Sequence, residues 1–385
     1  MTVDRADLII IGGGLMGVST AFFAATRGAS VILLEAGLTG RQASGTNFGA
    51  VRRQGRPLEQ LSLTNRSRAV WHRLPELIDD NCEFVSRGHL RIALDDASAA
   101  EMEAYALRMG ALGLESEILG PAALKARFPH LSDNIPLGTF ATGDGHANPR
   151  LAGPAFARAA QRLGCDIREN APVRSAQKVG EDFEVELISG ELCRAPALLV
   201  TAGAWSRPFA AAFGEEVNLT IKGPQLSVTE PLPYFMASNV SVHTHTPHEH
   251  IYFRQVKRGN IIMGGPFWGP ASVETMTAAV EPEIPLLQHR QVARWLPIIR
   301  KTRIIRCWSG VESYTADGNP VMGASERHSG LYYAYGFSGA GFQLGPGVGE
   351  TMAELIVTGR TDIDLNPFRA SRFNPTADGW KTYGD

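Results

Sequence analysis

The chain has 385 residues, 37 of them Lys or Arg and 39 Asp or Glu, for a formal net charge of −2. That balance excludes a bulk electrostatic attraction to nucleic acid or to an anionic membrane. With 44% hydrophobic and 20% charged residues, disorder is excluded and a globular protein, most simply of two domains, is predicted. The skewed quantity is glycine, 41 residues against roughly 27 at average usage. No stretch approaches the ~18 apolar residues of a membrane span. The residues before Leu8 read as no targeting segment, so a cytoplasmic location is expected. Cys82, Cys165, Cys193 and Cys307 are far apart and form no C-x-x-C, so reduced thiols are expected.

Leu8 to Ile11 is a short apolar run that suits a strand buried on both faces of a parallel sheet. It enters Gly12-Gly13-Gly14-Leu15-Met16-Gly17, followed by a helical stretch from Val18 to Arg27, a stop at Gly28 and a second strand from Ser30 to Leu34 that ends at Glu35. This is G-x-G-x-x-G in its full strand–helix–strand setting. Gly12 makes the tight turn, Gly14 lets the backbone approach a pyrophosphate, and Gly17 lets helix and strand pack closely. The helix start around Leu15 and Met16 offers free N–H groups, and Glu35, with Ala36 beside it, is placed to accept from ribose hydroxyls. Alone, the motif fits NAD or FAD.

Downstream, residues 57–73 and 97–113 have helical patterns and 84–93 short strands. Residues 151–164 are again helical, and 166–168 with Pro172-Val173 read as a strand returning to the nucleotide domain. Phe183 to Leu187 alternates as a half-exposed strand, and Ala197 to Val200 is a buried strand entering the turn Ala202-Gly203-Ala204-Trp205. Residues 219–297 are read as extended strands forming a mostly antiparallel sheet. Residues 330–335 form a strand, and Gly336-Phe337-Ser338-Gly339-Ala340-Gly341-Phe342-Gln343 with the glycines beyond it forms a loop leading into a helix over 351–358. A second set of backbone donors before a helix needs a second electron-rich target, which favours a flavin over NAD.

The stretch Ser44-Gly45-Thr46-Asn47-Phe48-Gly49, with Ala202-Gly203-Ala204-Trp205-Ser206, Thr315-Ala316-Asp317-Gly318 and Gly336-Phe337-Ser338-Gly339, resembles the D-amino-acid oxidase superfamily of flavoproteins. The resemblance runs from residue 7 to about 370. It implies an α/β fold in which a Rossmann-like FAD-binding domain (1–80, 145–218 and 300–370) carries an inserted, mostly antiparallel β-sheet substrate domain (81–144 and 219–299), with a tail from 371 to 385. The implied FAD contacts are Gly12, Gly14, Leu15, Met16, Glu35, Ala36, Ser44, Gly45, Thr46, Asn47, Gly49, Val173, Ala202, Gly203, Trp205, Gly310 and the run Phe337 to Gln343. Within the superfamily the chain is most similar to the flavin (B or β) subunits of opine oxidase, hydrogen cyanide synthase and D-hydroxyproline or L-proline dehydrogenase complexes. That implies a small secondary-amine substrate and electron-accepting partner subunits in a hetero-oligomer, with a second flavin (FMN) or an iron–sulfur cluster in a partner or at an interface.

Three departures from better-known relatives bear on chemistry. Gly310 stands where covalent sarcosine oxidases carry a flavin-linked Cys, so FAD is expected to bind non-covalently; Cys307 is a weak substitute for that Cys. Glu312 stands where glycine oxidase has a carboxylate-binding Arg, which suits either a cationic substrate group or a structural carboxylate paired with a nearby Arg. The strand Asn260 to Gly265 offers no Lys of the kind that helps sarcosine oxidase activate O₂, and Gln343 replaces its substrate-binding Lys. A dehydrogenase is therefore expected, with a stand-alone amine oxidase or a silent assembly subunit as the alternatives. Substrate contacts are expected from Arg52 or Arg53 and from Tyr252 and Arg254. His243, His245, His248 and His250 are spaced in pairs on strand faces, but a turn separates the pairs and no metal is expected.

Overall fold

The computed structural model describes residues 3–246 and 249–373. A six-stranded nucleotide sheet has the order Val321–Ala324, Leu331–Tyr335, Ala197–Val200, Leu8–Ile11, Val31–Leu34, Asp166–Arg168. All its neighbours are parallel except the first pair, which is antiparallel. Ile9 and Ile11 pack with Ile32, Leu34 and Val200 on one face, and Leu8 and Ile10 with Leu33, Phe22 and Phe156 on the other. This is the alternation of a strand covered on both sides. Helix Leu15–Ala25 leaves the first strand and packs on helices Pro149–Arg162 and Gly341–Thr358.

The last helix begins ten residues earlier than the sequence suggests, at Gly341 rather than at 351. The glycines that read as loop lie inside it and serve close packing. A Cβ on Gly345 would stand 2.6 Å from the Leu15 side chain, so this helix can approach Leu15–Ala25 only without one. Pro346 is tolerated because Ser67 bridges the opened turn: its hydroxyl accepts from the Gly347 N–H at 3.1 Å and donates to the Gln343 carbonyl.

A second, large sheet runs Ile304–Ser309, Thr220–Pro231, Asn260–Gly269, Tyr252–Gln255, Asn239–His243, His89–Ala93, Gly138–Ala141, Glu117–Leu119, with Glu312–Tyr314 also paired to Thr220–Pro231. It is antiparallel except where Asn239–His243 meets His89–Ala93. Residues 304–314 therefore sit in this sheet, although the sequence reading grouped them with the nucleotide segment from 300. The reason is the length of Thr220–Pro231, 12 residues, which pairs with both short strands in turn. Within the stretch read as wholly extended, Glu283–Trp295 is a helix, with Ile284, Gln288, Val292 and Trp295 buried. Its apolar stripe joins Val240, Phe253, Ile261 and Met263 in a core beneath the sheet.

A third, four-stranded sheet is ordered Val3–Arg5, Leu192–Ala195, Asp182–Leu187, Val173–Val179. Only Asp166–Arg168 returns to the nucleotide sheet; Val173 opens a strand of this separate sheet, whose Phe183, Val185 and Leu187 cover the Ile9 face. Among the described residues no helix is long and apolar enough to cross a membrane, and the four cysteines are free.

Candidate active site

A cavity of about 670 Å³ lies between the carboxyl ends of the nucleotide strands and the large sheet. Gly12 follows the first strand, Glu35 the second and Thr201 the strand Ala197–Val200, and all three line it, as ligand sites in open parallel sheets do. Gly12 has φ +109°, and a Cβ there would lie 2.6 Å from the Thr201 carbonyl oxygen, so the turn admits glycine alone. Glu35 accepts the Gly13 N–H at 2.6 Å and the Gly37 N–H at 2.8 Å, one on each oxygen, which fixes the carboxylate and leaves lone pairs free. Asn47 ties the next wall segment: its amide donates to the carbonyls of Ala43 and Ser44, each at 2.9 Å, and its oxygen accepts from Gly49 N–H at 2.8 Å.

Of the residues predicted to touch cofactor, Gly12, Gly14, Met16, Glu35, Ala36, Ser44, Thr46, Asn47 and Gly49 line the cavity. So do Val173, Ala202, Gly203, Trp205, Gly310, Phe337, Ser338, Gly339, Gly341, Phe342 and Gln343. Leu15, Gly45 and Ala340 do not: the Leu15 N–H is turned to Ser44 Oγ at 2.8 Å, while Leu15 and Ala340 side chains join the core. The Gly339 N–H, read as a donor to an anionic ligand, instead donates to Glu312 Oε1 at 3.0 Å. The first turn of Gly341–Thr358 still opens on the cavity, through Gly341, Phe342 and Gln343.

The opposite wall is charged. Glu312 lines it with Tyr314, whose hydroxyl donates to Glu312 Oε2 at 2.8 Å. Burial, the largest influence, pushes the Glu312 carboxyl above its ordinary range, against the hydrogen bonds and the Arg56 charge. Tyr252 lies across the sheet over Gly264, where a Cβ would strike its ring, and meets Phe48 edge-on with centroids 4.7 Å apart. Burial and the Glu312 charge hold its phenol protonated. Arg52 faces the cavity and donates to the Gln54 carbonyl. Arg53 does not; it pairs with buried Asp144 at 3.6 Å and with Asn65 at 2.8 Å.

Two further predicted contacts are committed to backbone carbonyls of the protein itself. Arg254 is 4% exposed and is absent from the cavity wall: it shares the strand face of Tyr252, but its guanidinium lies against the Phe48–Gly49 segment and donates to the Phe48 carbonyl at 2.9 Å. Gln343 lines the cavity, yet its amide nitrogen is committed to the Thr64 carbonyl at 3.0 Å. Among the described residues Glu312 makes no ion pair with an arginine within 4 Å; its oxygens accept from Tyr314 and from the Gly339 N–H.

Arg56, His89 and His250 line the same wall and were not singled out as contacts from sequence. Arg52 and Arg56 are four residues apart beside the Ser-Gly-x-Asn stretch, a spacing that was available as a signal. His89 is held neutral by burial and by Arg52, Arg91 and Arg56, and bonds Ser241 Oγ at 2.9 Å. His250 opens onto the cavity, and desolvation by the surrounding protein, then Arg52 and Arg91, lower it to about 4. Of the other histidines, His243 bonds Arg91 at 3.0 Å and Glu101 at 3.1 Å, and His245 lies 3.3 Å from Glu101. His248 lies outside the described residues.

A glycine turn at a parallel strand end, an acid fixed on backbone donors and a long cavity closed by a second sheet define a dinucleotide-binding protein. The chain belongs to the FAD dependent oxidoreductase (DAO) family, whose model matches residues 7–355. It is 26% identical over 375 residues to glycine oxidase of Bacillus licheniformis, covering 96% of this chain and 98% of that one. It is 28% identical over 385 residues to human mitochondrial sarcosine dehydrogenase, again over 96% of this chain but only 42% of that longer protein. Among solved structures, L-proline dehydrogenase from P. horikoshii superposes with TM-score 0.89 at 24% identity, covering 97% of this chain and 98% of that one. Glycine oxidase from Geobacillus kaustophilus superposes with TM-score 0.88 at 22% identity, covering 97% and 100%.

The cavity fits FAD. Glu35 has lone pairs free for ribose hydroxyls, Gly12 and Gly14 leave backbone bare at the strand end, and the lining continues to the large sheet.

Proposed function

We propose that the protein is an FAD-dependent dehydrogenase that oxidises the C–N bond of a secondary amine bearing a carboxylate, an opine such as octopine or nopaline or an imino acid. The observation that carries this reading is that an acidic and a basic side chain, Glu312 and Arg52, line one cavity wall, so an ammonium and a carboxylate of the same small molecule each find a partner. The names of the relatives, which include glycine oxidase, sarcosine dehydrogenase and dimethylglycine dehydrogenase, agree with chemistry at such a bond.

Bound FAD supplies the acceptor for the hydride leaving the carbon next to nitrogen. The chain's own task is to bind, orient and deprotonate. Glu312, its carboxyl raised by burial and its two oxygens fixed by Tyr314 and Gly339, takes the ammonium proton and leaves the neutral amine. Tyr252, steadied by Phe48, and the neighbouring Trp268, Phe337 and Phe342 supply apolar surface that orients the substrate and excludes water. A side chain at Gly310 would run into Thr46, which favours non-covalent FAD.

No lysine lines the cavity among the described residues, which favours electron transfer to partner subunits carrying FMN or an iron–sulfur cluster over reaction with O₂. The match of the chain end to end with glycine oxidase favours instead a single-chain oxidase. Anaerobic mixing with octopine, nopaline, sarcosine, D-hydroxyproline and proline tests both. We expect a secondary amine to bleach the flavin and O₂ to restore it slowly, whereas rapid reoxidation with stoichiometric H₂O₂ selects the oxidase. A flavin that none of the panel bleaches sinks the enzymatic reading and leaves the assembly subunit.

A further inference from the structure

We infer that the cavity contains a second carboxylate subsite, formed by Arg56, and that the substrate is a secondary amine with a carboxylate on each side of its nitrogen. This rests on the proposed function and narrows it to dicarboxylic amines.

Arg56 lines the cavity and is only 9% exposed. Its Nε has no hydrogen-bond partner, and its guanidinium makes no side-chain hydrogen bond or ion pair among the described residues. A guanidinium is always charged, carries five donors and is costly to bury without acceptors. Nearby acids are already used. Asp144 accepts the Arg53 and Gln54 N–H groups, each at 3.0 Å, and pairs with the Arg53 side chain. Glu312 is taken by Tyr314 and Gly339 and, in the reaction, by the amine.

Further positive charge crowds the same place. A Cβ on Gly55 would lie 3.1 Å from Arg52 Nη1 and 3.3 Å from Arg91 Cζ, so two guanidiniums flank that one residue. Arg91 bonds His243, and His89 and His250 are held neutral, so none of these groups offers Arg52 or Arg56 a negative partner. The two guanidiniums that face the cavity, Arg52 and Arg56, thus repel each other in a poorly hydrated wall, with Asp144 and Glu312 acting against that repulsion from a distance. One substrate carboxylate answers one of them. A second carboxylate, beyond the nitrogen, answers the other and removes the repulsion. A monocarboxylic amine such as sarcosine or proline leaves Arg56 bare.

The test uses the holoenzyme and two thioethers, which cannot form an imine: thiodiacetate, with two carboxylates, and methylthioacetate, with one. Titration is followed by the perturbation of the flavin visible spectrum. We expect thiodiacetate to bind at least tenfold more tightly, and Arg56→Gln to abolish the preference while methylthioacetate affinity changes less than threefold. Equal affinities in the unaltered protein, no binding of either, or a preference that survives Arg56→Gln overturns the subsite. Should Arg56→Gln lose its flavin, Arg56→Lys, which keeps the charge but not the fork, is expected to retain flavin and part of the preference; an unreduced preference counts against Arg56. Turnover separates this failure from that of the proposed function. Bleaching by sarcosine as readily as by iminodiacetate ends the dicarboxylate proposal and leaves amine oxidation standing.

Discussion

The wall of the cavity contributed by the nucleotide sheet is made of backbone: Gly12, Gly14 and Gly203 leave peptide groups bare at strand ends, and its one acid, Glu35, is fixed by the N–H groups of its own neighbourhood. The opposite wall is made of side chains from separate elements: His89, Tyr252 and Glu312 from strands of the large sheet, Arg52 and Arg56 from the loop after Ala50–Val51, and His250 from the segment before Tyr252. The first wall suits a ligand recognised by shape and by phosphate and ribose groups. The second suits a small ligand recognised by charge. On the function proposed above, cofactor binding would be written in glycine spacing and specificity in which charged groups are buried without partners.

Substitutions on either wall should therefore separate the two properties. The largest effect is expected from Gly12→Ala. The added Cβ would meet Thr201 and Ala202 backbone atoms within 2.6 to 2.8 Å, at a φ of +109° that an L-residue rarely adopts. Flavin content of the purified protein should fall at least tenfold. A variant that keeps its flavin would mean that the first wall does not depend on this turn.

Glu312→Gln should do the reverse, retaining flavin and losing rate. Removing the proton acceptor should lower anaerobic flavin reduction at pH 7 roughly tenfold to a hundredfold, the range of a lost charged hydrogen bond of about 1.5–3 kcal/mol. Because the missing step is deprotonation of the amine, the rate should climb toward that of the unaltered protein as the pH approaches the amine's own pKa. A loss independent of pH would make Glu312 a structural group.

The comparison also explains what could be read in advance. Leu8–Ile11, Val31–Leu34 and Ala197–Val200 are buried on both faces, so each shows as an unbroken apolar run, and the motif between the first two is local. Helix Glu283–Trp295 escaped because Pro282 and Pro285 punctuate its start, although Ile284, Gln288, Val292 and Trp295 keep a helical period. The start of Gly341–Thr358 escaped because its glycines look like loop when the partner they approach, Leu15, is more than three hundred residues away. On the charged wall, Tyr252 and Glu312 were visible through motif blocks. Arg56 was not, since Gly55-Arg56-Pro57 reads as a surface turn and only the fold brings it out of water.

The smallest effect concerns two buried histidines, His89 on the charged wall and His146, which is not among the residues lining the cavity. His146 is 4% exposed, and burial first, then the Arg254 charge, lowers it to about 3; His89 is shifted in the same direction. A histidine whose pKa is lower in the folded state stays neutral there while the unfolded chain takes up a proton below about 6.5, so unfolding gains protons as the pH falls. Stability is thus full above the unfolded pKa and declines from about pH 6.5 toward 3. For His146 the decline between pH 6.5 and 5.0 should be about 2 kcal/mol, or 1.36 kcal/mol per unit for one proton. Denaturant unfolding at several pH values measures it. In His146→Asn the slope should lose one proton's worth, with that of His89 remaining, and an unchanged slope would mean that His146 titrates alike in both states. The Glu312 wall carries the opposite tendency, since burial raises its carboxyl: protonation there relieves a buried charge as the pH falls. A slope shallower than two buried histidines require would thus measure how far Glu312 compensates them, and in Glu312→Gln that compensation should vanish and the full histidine slope emerge.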